Sequence, residues 1–165
     1  MRKWMLFAGI MVLADQVTKA IATAELTMYK AVAVMPSFNF TLMHNEGAAF
    51  SFLSDAGGWQ RWLFTIISLI VSVVLVLWIK KLKPEEKMQA IAFSLILSGA
   101  VGNLIDRVRF GYVVDFIEIY IKVDGDKLSW PAFNIADSAI TVGVVILIID
   151  TLFPNVFKKL NKSIS

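Results

Sequence analysis

Four apolar runs, residues 4–24, 62–79, 88–105 and 134–153, dominate this chain and alternate with polar links. Crossing a hydrocarbon core takes about 20 helical residues, and each run is close to that length. Lipid offers no partners to an open backbone, so spanning segments of this kind are expected to be helices. Hydrophobic residues make up 58% of the chain and charged residues 18%, against roughly 45–50% apolar in a soluble domain. An integral membrane protein follows. Little chain is left over, so residues 1–165 are expected to form a single membrane domain, with links 25–61 and 106–133 on one side and 80–87 on the other. Cysteine is absent, which excludes disulfides, thiolate metal sites and a cysteine nucleophile within this chain.

Orientation is read from the basic flanks. Arg2 and Lys3 precede the first span, Lys80, Lys81, Lys83 and Lys87 fill the short link, and Lys158, Lys159 and Lys162 follow the last; these are nine of the sixteen Lys and Arg. The positive-inside rule then places both termini in the cytoplasm. The net charge of +3 follows from these anchors, and no basic patch interleaved with aromatics suggests nucleic acid. Trp4, Trp59, Trp62, Trp78 and Trp130 each fall at or just outside a span end, the depth at which indole rings anchor. The first span has a competing reading as a cleaved signal peptide, with Ala22-Thr23-Ala24 as the cleavage site. Asp15 and Lys19, one helical turn apart with the acid first, favour a retained, internally paired helix instead.

The two long links carry strand signals. From Ser37 through Leu42 polar and apolar residues alternate, the period of a strand with one face to bury. From Phe116 to Val123, Ile117, Ile119, Ile121 and Val123 share one face and Glu118 and Lys122 the other, with a turn expected at Asp124-Gly125. The expected architecture is an all-α membrane protein of four transmembrane helices with a small extracytoplasmic β-sheet lying on the membrane surface.

The third span runs outward and the fourth returns inward, so their acids meet at the outer face. Asp137 lies about 4.5 Å below the start of its helix, while Asp106 and Asp115 lie just past the exit of the third. A carboxylate in hydrocarbon costs roughly 2.5–3.5 kcal/mol on insertion scales and so calls for a use. Two facing carboxylates share a proton, leaving one base to activate water and one acid to polarise an amide carbonyl. Asp137 as a helix cap, with Asn134 as the N-cap residue, is an equally physical alternative. A proton or ion pathway is a third reading, against which stands the lack of polar residues between Thr141 and Asp150 in the last span. The residues alone do not choose between Asp106 and Asp115, since Asp106 could pair with Arg109 one turn on.

Other chemistry is poorly supported. His44 is the only histidine, too few for a zinc site of the usual ligands. Ser68, Ser72, Ser94 and Ser98, with Gly99 and Gly102, sit at spacings that let helices approach. Asn103 and Arg107 continue one face of the third span, where an amide and a guanidinium could hold a substrate carbonyl, orient a carboxylate or serve structure alone. Gly47, Ala48 and Ala49, within the segment Asn45 to Phe50, leave room beside a cleft, with loop packing the alternative.

The blocks "DQVTK" (15–19), "NEGAAFS" (45–51), "GAVGNLIDRVRFGYVVDF" (99–116) and "WPAFNIADS" (130–138) together resemble the lipoprotein signal peptidase family, signal peptidase II, across nearly the whole chain. That resemblance implies a bacterial plasma-membrane aspartic protease using no metal or cofactor. It would remove signal peptides from prolipoproteins by cutting before a diacylglyceryl-modified cysteine, with its active site at the extracytoplasmic face and membrane lipid and the lipidated precursor as partners. A monomer is expected. By the same resemblance Asp115 and Asp137 are catalytic, Asp106 is supporting, and Asp15, Lys19, Asn45, Gly47, Gly99, Asn103, Arg107 and Asn134 handle substrate or maintain the site. Trp130, where the family commonly has phenylalanine, is a mild difference.

Overall fold

A computed structural model describes residues 1–47, 58–124 and 126–153. Ala48, Ala49 and Phe50 of the expected cleft border, Gly125 of the expected turn and the basic residues Lys158, Lys159 and Lys162 lie outside the described residues. In chain order the elements are α1 (Arg2–Glu25), β1 (Val32–Met35), β2 (Phe38–Asn45), α2 (Trp59–Lys81), α3 (Lys87–Arg109), β3 (Val113–Val123), β4 (Asp126–Ser129) and α4 (Ile135–Leu152). All four helices are long and apolar enough to cross a membrane. Three of them begin two or three residues before, or end beyond, the apolar runs, because charged and aromatic flanks such as Arg2, Trp59 and Arg109 continue the helical turns.

α3 is the central helix. It buries 56% of its apolar window, against 17–22% for the other three, and packs on α1, α2 and α4. Its small residues explain the closeness to α4: a Cβ at Gly99 would strike the Ala136 carbonyl and meet Ile140 Cγ1 at 2.5 Å. Near the other end, Gly143 of α4 leaves only 2.7 Å for a Cβ against both the Ala92 carbonyl and Ile96. Helices that gain nothing from burying apolar surface against equally apolar lipid associate by such close backbone contact. Ala8, Leu75, Ile79 and Leu97 form a compact apolar cluster where α1, α2 and α3 meet.

The strands form one antiparallel sheet in the order β1-β2-β3-β4. Val123 pairs with Asp126, so β3 and β4 are joined by two residues, and Asp124 adopts φ 53°, the left-handed conformation such hairpins need. The register puts Phe38, Phe40, Ile117, Ile119, Ile121 and Leu128 on one face and Asn39 and Glu118 on the other. At Glu118 the protein covers the polar face. Glu118 is 4% exposed, whereas Ile119 and Ile121 are 44% and 55% exposed. The reason is polar satisfaction: Glu118 accepts hydrogen bonds from Asn39 and Thr41 on β2 and from Lys127 and Ser129 at 2.7–2.9 Å. The carboxylate thereby ties three strands together. A register shift between Phe40 and Met43 breaks the alternation, so Thr41 and Leu42 are both buried.

Candidate active site

The site forms where the sheet meets the ends of α3 and α4. Its organiser is Asn134, which has no exposed surface. As N-cap of α4 its side chain accepts the Asp137 N–H at 2.9 Å, and the Asp137 carboxylate accepts the Asn134 backbone N–H at 3.3 Å in return, completing a capping box. The remaining Asn134 amide donor group reaches Asp115 Oδ1 at 2.7 Å, the Val114 carbonyl at 3.2 Å and Asn103 Oδ1 at 3.3 Å. One residue therefore donates to both carboxylates, through its side chain to Asp115 and its backbone to Asp137. Capping does not exclude chemistry at Asp137, because it fixes the Asp137 carboxylate on the same residue that binds Asp115.

Three elements set the depth of Asp115. Phe133 exchanges backbone hydrogen bonds with Ile117, pinning the entry to α4 against β3. Asp106 Oδ2 at the end of α3 accepts the Val114 N–H at 3.2 Å. Asn45, at the end of β2, donates to Asp115 Oδ2 at 3.1 Å. Burial pushes the Asp115 carboxyl up to about 7, with the neighbouring Asp137 charge adding to it; hydrogen bonds from Asn45 and Asn134 and the charge of Lys19 oppose the rise.

Behind the two carboxylates lies a buried ionic cluster. Lys19 is 3% exposed and spends all three ammonium protons, on Asp15 Oδ2 at 2.9 Å, Asp106 Oδ2 at 2.8 Å and Asn103 Oδ1 at 2.9 Å. With its oxygen held by Lys19, Asn103 must present its amide nitrogen forward, where it donates to Asp137 Oδ1 at 2.8 Å. Asp15 also accepts the Ala136 N–H at 2.9 Å, so α1 is bonded directly to the first turn of α4. Gly102 makes room for this, since a Cβ there would sit 2.5 Å from Asp15 Oδ2.

The cluster decides between alternatives for Asp106 and adds a residue. Asp106 pairs with Lys19 and not with Arg109, because the Asp106 side chain faces α1 inside the bundle and is 1% exposed. Gln16 was not singled out from sequence, yet its amide bridges Asp15, the Gly102 carbonyl and Asp106. An uncharged amide between Asp15 and Lys19 inside a spanning helix is a signal that could have found it.

Arg107 is 8% exposed and reaches the Gly47 carbonyl at 3.1 Å; a longer contact runs to the Asn103 carbonyl at 3.5 Å, and the guanidinium lies 5.5 Å from the centre of the Phe64 ring. Gly47 N–H is held by Asn45 Oδ1 at 3.0 Å, so the residue binding Asp115 also shapes the chain that Arg107 touches. Asn45, Asn103, Arg107 and Asp137 share a cavity of about 1100 Å³ whose other walls are mostly apolar, including Ile119, Ile121, Leu128, Trp130, Ile140 and Val142. The exposed apolar face of the sheet is thus one wall of this cavity.

Residues set aside from sequence also have definite places. His44 stacks on Tyr112 with centroids 3.8 Å apart, and burial lowers its pKa, opposed by Glu46. No group of three metal-ligating side chains occurs among the described residues. Ser72, Ser94 and Ser98 each donate back to a carbonyl of their own helix, so their hydroxyls are engaged away from the cavity.

The comparisons agree in direction. Residues 7–153 match the family described as Signal peptidase (SPase) II. A lipoprotein signal peptidase of Alteromonas mediterranea is 50% identical over 145 residues, covering 88% of this chain and 77% of that protein. One from Pseudomonas aeruginosa strain UCBPP-PA14 is 50% identical over 148 residues, covering 89% and 86%. A solved bacterial membrane enzyme structure at 1.9 Å superposes with a TM-score of 0.77 at 37% identity, covering 93% of this chain and 94% of that one.

Proposed function

The chain belongs to the signal peptidase II family, and on that premise we propose that Asp115 and Asp137 are the catalytic pair of this prolipoprotein-cleaving bacterial membrane enzyme. The observation that carries the assignment is Asn134 donating to both carboxylates. Two interacting acids bound to one buried residue share one proton and titrate as a unit. The ionised member takes a proton from water, the water oxygen attacks the carbonyl carbon, and the protonated member donates to the carbonyl oxygen. Collapse breaks the C–N bond as the leaving amine takes up a proton. Asn103 and Asn134 hold Asp137 in place, Asn45 and Asn134 hold Asp115, and Asp15, Lys19 and Asp106 hold Asn103 and the turn of α4. Gly99 lets α4 approach, and Gly47 with Arg107 borders the substrate path.

The substrate's lipid-bearing cysteine enters from the bilayer, and the apolar walls of the 1100 Å³ cavity suit its acyl chains. Such a lipid anchor holds the scissile bond at headgroup depth, which is where a site at the outer helix ends lies if the lysine-rich link and the termini are cytoplasmic. A monomer with bound membrane lipid is sufficient for this chemistry, since both carboxylates come from one chain. The test is cleavage of a diacylglyceryl-modified precursor by Asp115→Asn and Asp137→Asn variants that still insert in the membrane. Each is expected to lose at least a thousandfold in turnover, and Asp106→Asn to lose less; near-normal cleavage by either of the first two rejects the pair.

A further inference from the structure

Arg107 is an unusual cation for its depth. It is 8% exposed, yet no carboxylate lies within ion-pair distance of it among the described residues, and its Nε has no partner. The contacts of its terminal nitrogens are main-chain carbonyls. The carboxylates of Asp137, Asp115 and Asp106 attract the guanidinium from beyond ion-pair distance, so its unpartnered Nε is left to bond an anion that comes into contact. Arg107 lines the cavity together with Asp137, Asn103 and Asn45, so an arriving anion would sit at the reacting centre.

The reaction makes such an anion there. The precursor presents a neutral amide, and hydrolysis replaces its C–N bond with a C–O bond from water. The signal peptide leaves with a new carboxylate, and the lipidated cysteine leaves with an amine that takes up the proton. The carboxylate is created beside a pair of acids that itself carries negative charge, so a nearby cation is needed to hold it even briefly. We propose that Arg107 is the receptor for the carboxylate terminus of the released signal peptide. This rests on the assignment of Asp115 and Asp137 only for where the anion forms. Arg107 discriminates product from substrate by charge, so it governs product retention and release. A purely structural Arg107, tethering Gly47, would not distinguish an acid from an amide.

The test uses the intact protein in lipid nanodiscs and equilibrium binding of one synthetic lipoprotein signal peptide, ending at the residue before the cysteine, prepared as its C-terminal acid and as its C-terminal amide. A charge-assisted hydrogen bond predicts that the acid binds roughly tenfold or more tightly to the unmodified protein. The preference is expected to vanish in Arg107→Gln and to survive in reduced form in Arg107→Lys. Equal affinity of acid and amide for the unmodified protein overturns the proposal, whatever the variants do. A preference for the acid that persists in Arg107→Gln also overturns it, by placing the receptor elsewhere. The amide peptide is expected to bind Arg107→Gln as tightly as it binds the unmodified protein, and that retained affinity separates loss of the receptor from altered folding; amide binding lost together with the preference overturns the proposal in favour of a structural Arg107. Loss of cleavage in Asp115→Asn or Asp137→Asn plays no part in it, so the two readings fail separately.

Discussion

Replacing Lys19 by methionine isolates the ionic cluster from simple packing, because methionine retains most of the buried stem. Three charge-assisted bonds disappear, to Asp15, Asp106 and Asn103 at 2.8–2.9 Å. Asp15 keeps the Ala136 N–H and Gln16, and Asp106 keeps the Val114 N–H and Gln16, so two carboxylates remain buried with neutral donors only. Removing one partner of a buried ion pair costs about 3–5 kcal/mol. On a chain of this length each kcal/mol lowers the melting temperature by roughly 2–4 °C, so a fall of about 6–20 °C is expected. The assay is thermal unfolding in detergent followed by tryptophan fluorescence. Adding Asp106→Asn to Lys19→Met should then cost less than Asp106→Asn alone, because the charge it removes is no longer compensated. A drop below about 2 °C for Lys19→Met, or strict additivity of the two changes, would refute the claim that this triad couples α1 to α3.

Three further outcomes follow from particular contacts. Asp115 has a folded pKa of about 7 against an ordinary 3.8, so the folded protein binds this proton more tightly; stability from it is full below 3.8 and falls as pH rises towards 7. Melting of the Asp115→Asn variant should therefore gain on the unmodified protein between about pH 4 and 7, and unmodified turnover should decline above about pH 7 as the pair loses its last proton. Glu118 behaves oppositely: burial would raise it, but hydrogen bonds from Lys127, Asn39, Ser129 and Thr41 hold it at about 2 against an ordinary 4.5. Its stabilisation is present above 4.5 and lost as pH falls towards 2, and Glu118→Gln should speed amide hydrogen exchange in β4 at neutral pH while leaving α3 protected. Gly99→Ala should lower stability by roughly 1–3 kcal/mol through overpacking against Ala136 and Ile140, whereas Gly9→Ala, inside α1 with nothing within 4 Å, should not lower melting and gains up to about 1 kcal/mol of helix propensity.

Much of this protein is legible along the chain because the bilayer removes choices. A run of about 20 apolar residues in lipid can only be a helix, so the four spans and their rough limits follow from composition and order. Period-2 alternation likewise announced strands β2 and β3, and the signature blocks carried the family. These are properties of neighbours in sequence, and short-range physics suffices to read them.

What only the tertiary structure decided is which partners the polar groups found. Asp106 had Arg109 one turn away and turned instead to Lys19 on another helix, because inside the bundle a buried carboxylate takes the cation that is also buried. Alternation put Glu118 and the isoleucines on opposite faces without saying which is covered; Glu118 is, because four donors from β2 and β4 converge on it. The convergence of Asp115 and Asp137 on Asn134 spans the end of α3, a strand and a helix cap. Sequence supplies which groups must be satisfied once water is excluded; the choice among partners distant along the chain is made by packing.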